Sequence, residues 1–82
     1  MDIKYKAVAH TTTAGKTEVR EKLFSSKDDF ENNFREFRDE CEFNVVGSYG
    51  SAVIEVFEGD TMIRRCVLMS NYQWDDFDVP QQ

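Results

Sequence analysis

The chain has 82 residues, 40% of them apolar and 13% aromatic, with sixteen acidic and ten basic side chains for a net charge of −6. That length allows one small domain and excludes two, and the apolar content excludes the low-hydrophobicity signature of disorder. The acidic balance disfavours phosphate backbones and anionic membranes as partners and favours a basic protein surface.

From Ile3 to Ala9, residues Ile3, Tyr5, Ala7 and Ala9 alternate with Lys4, Lys6, Val8 and His10, the period of two of a strand with one solvated face. Thr11 to Lys16 reads as a turn around Gly15. In the run Thr17 to Phe24 that follows, Thr17, Val19, Glu21 and Leu23 share the more apolar face. Glu21 is out of place on it and needs a sheet edge or a partner. Residues 1–24 are therefore expected to form a hairpin.

A helix is predicted over 25–43. Ser25 or Ser26 can cap it, Asp28 and Asp29 put negative charge at its N-terminus, and Phe24 can pack on Phe30. Phe30, Phe34, Phe37 and Cys41 follow as one apolar stripe. On the outer face Glu31 with Arg35, Arg35 with Asp39 and Arg38 with Glu42 have the spacing of ion pairs. Asp28, Glu36 and Glu40 lack such partners in sequence and are expected to form an exposed acidic patch.

Residues 45–69 are expected to form a second hairpin. Asn44 to Ser51, broken by Gly47 and Gly50, reads as an irregular or bulged strand start, before Ala52, Ile54 and Val56 alternate with Val53, Glu55 and Phe57. Glu58-Gly59-Asp60 is the turn into Thr61 to Met69, where Met62, Arg64, Cys66 and Leu68 should share one face and Ile63, Arg65, Val67 and Met69 the other. Both faces are apolar, so this strand should lie centrally or have its second face covered. The remainder, 70–82, is an aromatic acidic tail in which Tyr72, Trp74 and Phe77 are interleaved with Asp75, Asp76 and Asp78 before Val79-Pro80. Rings beside unpaired carboxylates suit a contact surface, although Trp74 can equally fold back as core and leave the aspartates outward. The predicted fold is a single α+β domain over 1–82, β-β-α-β-β, with an antiparallel sheet of about four strands and one amphipathic helix on one face.

Charge divides unevenly along the chain. Residues 1–27 hold six bases against three acids, whereas 28–82 hold thirteen acids against Arg35, Arg38, Arg64 and Arg65. The folded molecule is a dipole if these parts reach different faces.

Chemical motifs are sparse. Cys41 and Cys66 have no metal or redox spacing and read as core thiols, and His10, the single histidine, reads as a surface residue. Gly15-Lys16-Thr17 falls short of a phosphate-binding loop, because His10 stands where its first glycine belongs and a strand follows. Asp75 to Asp78 lacks the glycine and distal glutamate of a calcium loop. No catalytic residue, cofactor or metal is assigned. No leader or membrane span is read, which predicts a cytoplasmic protein, monomeric or homodimeric, that touches neither membrane nor nucleic acid directly.

In size, acidity, aromatic richness and absence of a catalytic set, the chain resembles in general build the small inhibitors that phages and mobile elements direct at host or defence machinery, anti-CRISPR proteins among them. That resemblance matches no motif and assigns no residue. It implies a non-catalytic inhibitor, within a bacterial host cell, that blocks a basic nucleic-acid-binding surface by acidic mimicry. From the residues themselves, the expected binding set is Tyr72, Trp74, Asp75, Asp76, Phe77 and Asp78 with Asp28, Glu36 and Glu40. An antitoxin or immunity-type neutraliser of a nuclease, and an accessory subunit of a larger assembly such as a phage particle, are the alternatives. A small enzyme would need His10 to meet a carboxylate and a thiol.

Overall fold

The structure is a computed structural model that describes residues 4–47 and 50–78, with Phe77 and Asp78 placed as backbone. Strands β1 (Tyr5–Thr13) and β2 (Lys16–Phe24) precede helix α1 (Lys27–Val46), and β3 (Ser51–Glu58), β4 (Thr61–Leu68) and β5 (Trp74–Asp78) follow it. All five strands form one antiparallel sheet in the order β2-β1-β3-β4-β5. The expected α+β architecture is present, and the tail supplies a fifth strand to it. Val79-Pro80 and the start of the predicted first strand at Ile3 lie outside the described residues.

The first hairpin turns on Ala14 and Gly15 alone, at φ 50° and 80°. Two successive positive φ values make a type I′ turn, whose twist matches the strands, so pairing continues through Thr13 opposite Lys16 and the turn is shorter than Thr11 to Lys16. At the second hairpin only Gly59 has a positive φ, of 63°.

Helix α1 begins where the capping residues predict. The Ser26 hydroxyl accepts from the Asp29 amide at 3.1 Å, and Asp29 Oδ2 accepts from the Ser25 amide at 2.8 Å, so each satisfies a backbone donor beside the first turn. Phe24 meets Phe30 edge to face at 5.3 Å. The helix runs to Val46, past the predicted end at residue 43. Asn44 to Val46 form its last turn instead of opening a strand, because Val45 lies four residues after Cys41 and extends the buried stripe Phe30, Phe34, Phe37, Cys41. The Gly50 amide then bonds the Val45 carbonyl at 3.1 Å.

The core lies between this stripe and Tyr5, Ala7, Ala9, Ile54, Val56 and Cys66 of the sheet, with Phe24 closing one end. Tyr5 stacks on Phe30 at 5.3 Å, and Phe30 meets Phe34 at 4.9 Å with the rings tilted by 33°. Val45, Ala52 and Leu68 continue the core at the other end, and Trp74 packs on both parts. Burying each large side chain contributes roughly 1.5–3 kcal/mol.

Two strand faces differ from their sequence patterns. In β2 the apolar face of Val19 and Leu23 points away from the helix, leaving them 58% and 67% exposed, while its polar face carries the buried Phe24. Register decides this: Phe24 pairs with Tyr5 and Leu23 with Lys6, so burying Phe24 sends Leu23 outward. Glu21 is accordingly exposed on an edge strand. In β4 the pairing shifts between Val56 and Phe57, which join Arg64 and Met62 and leave Ile63 as the extra residue of a bulge. Ile63 thus packs against the core, and Met62, opposite Phe57, joins the face of Arg65 and Val67.

Candidate protein-binding surface

The helix is fixed to β5 by a polar and aromatic cluster. Trp74, half-buried at the start of β5, donates from its indole Nε1 to Glu42 Oε1 at 2.9 Å. One turn earlier on the helix, the Arg38 guanidinium lies 5.7 Å from the Trp74 ring and 5.9 Å from Phe34, and its Nη1 reaches Asp76 Oδ1 at 3.4 Å. Its Nε is buried without a hydrogen-bond partner among the described residues. Arg38 therefore turns toward the sheet instead of pairing with Glu42. Among the described residues, none of the three predicted ion pairs along the helix forms within 4.0 Å. Two competing partners on β5, an aromatic face and a carboxylate, draw Arg38 away, and exposed i,i+4 pairs are too weak to oppose them.

Strand alternation separates the tail acids. Asp76 sits opposite Cys66 on the helix side, whereas Asp75 sits opposite Val67 on the far face. Asp75 and Asp76 are exposed, the latter in its ion pair with Arg38, and Tyr72 lies exposed in the β4–β5 loop at φ 63°. Phe77 pairs with Arg65 and Asp78 with Arg64 along the backbone. The predicted tail set thus spans the β4–β5 loop and one edge strand, which presents Asp75 and Asp76 to opposite faces with Trp74 as its anchor.

On the helix, Asp28, Glu36 and Glu40 are exposed as expected. Glu36 and Glu40 have basic neighbours that no sequence spacing announces: Arg20 and Lys22, on the helix side of edge strand β2. An open hollow of about 670 Å³ is lined by Arg20, Arg35, Glu36, Asp39, Glu40 and Phe43, and Lys22 shares a smaller one with Glu36 and Glu40. Phe43, 85% exposed, was missed as a surface candidate. The signal was present, since a residue two after Cys41 lies about 200° round the helix from the buried stripe. The helix as a whole carries seven acids against three bases and β5 three acids against none, while β2 at the far edge carries three bases against two acids. Lys6 on β1, Glu55 and Glu58 on β3 and Arg64 and Arg65 on β4 nearly cancel, so the acid excess lies on the helix and on β5.

His10 and the two thiols lie on opposite sides of the sheet. His10 Nε2 lies 3.2 Å from Glu55 Oε1 on the uncovered sheet face, a cross-strand partner for a partly exposed histidine. Both thiols are buried on the helix side of the sheet. Burial, and then the Asp76 carboxylate, push Cys66 up to about 12, and burial also raises Cys41, so both stay protonated at neutral pH. Burial, with Glu58 adding to it, raises the Tyr5 phenol as well. Among the described residues no three His, Cys, Asp or Glu side chains come together as a metal site would need, and no helix is long and apolar enough to cross a membrane. Comparison of the chain with protein-family models, curated proteins and solved structures finds no match.

Proposed function

We propose that this protein acts by binding, not catalysis, and that its partner is a protein with a basic surface, docked on the acidic helix and β5. The observation that carries this reading is the charge excess on that side. Asp28, Glu36, Asp39 and Glu40 are exposed, and Asp76 is the one acid of the helix and β5 in an ion pair among the described residues. Carboxylates held on a rigid helix at i,i+4, about 6 Å apart, can occupy sites that a basic protein keeps for phosphates. Such a surface gains on-rate from electrostatic steering and loses affinity as salt rises. On this reading the protein is an inhibitor or modulator of a nucleic-acid-binding protein, in the cytoplasm of a bacterial cell, of the kind mobile elements direct at defence systems. Neutralisation of a toxic nuclease would use the same chemistry.

The test is capture from bacterial lysates on immobilised protein, washed at about 0.05 M and about 1 M salt, beside the variant Asp28→Asn/Glu36→Gln/Asp39→Asn/Glu40→Gln. A nucleic-acid-binding protein held at low salt, released at high salt and lost with the variant supports the reading. A partner that the variant retains equally at high salt would refute it.

A further inference from the structure

The sheet face opposite the helix is uncovered, and its cross-strand rows can be read directly from the pairing. Leu23, Lys6, Phe57 and Met62 form one row across β2, β1, β3 and β4; Glu21, Val8, Glu55 and Arg65 form the next; Val19, His10, Val53 and Val67 form the third. An antiparallel sheet that faces only water shows polar residues on that face. Seven of these twelve positions are apolar, and two of the seven, Val19 and Leu23, are more than half exposed.

We propose that this face is the interface of a homodimer, with a two-fold axis running along the strands between β1 and β3. Such an axis preserves each row and exchanges β2 with β4 and β1 with β3. On the outer strands it lays Leu23 of one copy over Met62 of the other, Val19 over Val67 and Glu21 over Arg65, two apolar contacts and one opposite-charge contact; on the inner strands it lays Lys6 over Phe57, Val8 over Glu55 and His10 over Val53, each made twice. Across these four strands the charged side chains, with His10 neutral, are Lys6 and Arg65 against Glu21 and Glu55, and Asp75 continues the third row at the β5 rim, so the face carries little of the net charge of −6. The helix side, with its excess of acid, would repel a second copy. The rows therefore select a second copy of this chain over a charged partner. Four strands of about eight residues cover roughly 500 Å² in projection, and side-chain relief brings this to about the 600 Å² per partner of the smallest specific interfaces. Aligned sheet packing at about −30° gives a sandwich with the helices outside. The dimer would present two acidic surfaces, and β5, which has no counterpart across the axis, would stay at the rim.

Analytical ultracentrifugation of the full chain at about 100 μM, in low and high salt, tests this. A dimer mass that persists in high salt is expected. Val19→Asp, which alters a side chain already exposed in one copy, should give a monomer with an unchanged circular dichroism spectrum. Glu21→Arg and Arg65→Glu should each weaken the dimer by about tenfold or more, and the double variant Glu21→Arg/Arg65→Glu should recover it. A wild-type monomer at this concentration, or a dimer indifferent to Val19→Asp, would overturn the proposal. Failure of the double exchange to recover what both single changes lose would overturn the axis.

Discussion

Trp74 of β5 and Glu42 of α1 are joined by a 2.9 Å hydrogen bond across 32 positions of sequence, and with Arg38 this contact fastens the last strand to the helix. Replacing Glu42 by Ala leaves the half-buried indole N–H without its acceptor and should cost about 1 kcal/mol, whereas Gln retains an acceptor and should cost less. Trp74→Ala also empties part of the core and should cost about 2–4 kcal/mol, below the full range for a completely buried ring. Urea unfolding gives both values. Equal stability of the Ala and Gln variants at Glu42 would show that the bond contributes nothing.

Phe34 and Phe43 test the orientation of the helix. Phe34 lies against the Phe30 ring and is buried, so Phe34→Ala should cost about 3–5 kcal/mol, enough to unfold most of a domain this small. Phe43→Ala should lie within about 0.5 kcal/mol of the parent. Comparable losses at the two positions would mean that the helix is rotated from the placement described.

Glycines at the two sides of the helix exit should respond oppositely. A Cβ on Gly50 would overlap the Thr12 carbonyl oxygen and sit 3.0 Å from Val45 Cβ, so Gly50→Ala should destabilise by about 1–3 kcal/mol. Gly47 has φ −78° and open space, so Gly47→Ala should be neutral or stabilise by up to about 1 kcal/mol. Thermal melting of the pair checks the close approach between the chain entering β3 and β1.

The buried thiols predict an alkaline limb of stability. Because Cys66 titrates near 12 in the fold against about 9 in the unfolded chain, its contribution is complete below pH 9 and is lost as pH rises from 9 toward 12. Cys66→Ala should flatten that limb. At pH 8 a thiol-specific reagent should label neither cysteine in the native protein and both in denaturant; rapid native labelling would show that the thiols are accessible.

Asp29 predicts the acid limb. The Ser25 amide, followed by Asn33 and the Ser25 hydroxyl, holds its carboxyl below the usual range. That contribution is present above the unfolded-state pKa and is lost as pH falls through the lower folded value. Asp29→Asn should reduce the acid dependence, and Ser26→Ala should cost about 1 kcal/mol at every pH through loss of the cap. An unchanged acid profile in Asp29→Asn would remove the carboxylate from the capping arrangement.

Features that depend on short range were legible in the sequence. Alternation in Tyr5–His10 and Ala52–Phe57, the Ser26 cap and the stripe Phe30, Phe34, Phe37, Cys41 are local patterns set by the period of each element, and they specify one helix on an antiparallel sheet. The same locality explains the errors. Stopping the helix at 43 gave the glycines more weight than Val45, which continues the stripe. The remaining features depend on contacts between distant segments. Which face of β2 is buried follows from the pairing of Phe24 with Tyr5; the bulge at Ile63 follows from register between β3 and β4; and Arg38 chooses Asp76 and Trp74, which only the sheet order brings beside it. The candidate surface divides in the same way: its acids could be read from composition, but not that Asp75 and Asp76 face opposite ways, nor that Arg20 and Lys22 stand next to Glu36 and Glu40. Charge is additive along a chain, whereas proximity between side chains far apart in sequence exists only once the strands have been ordered.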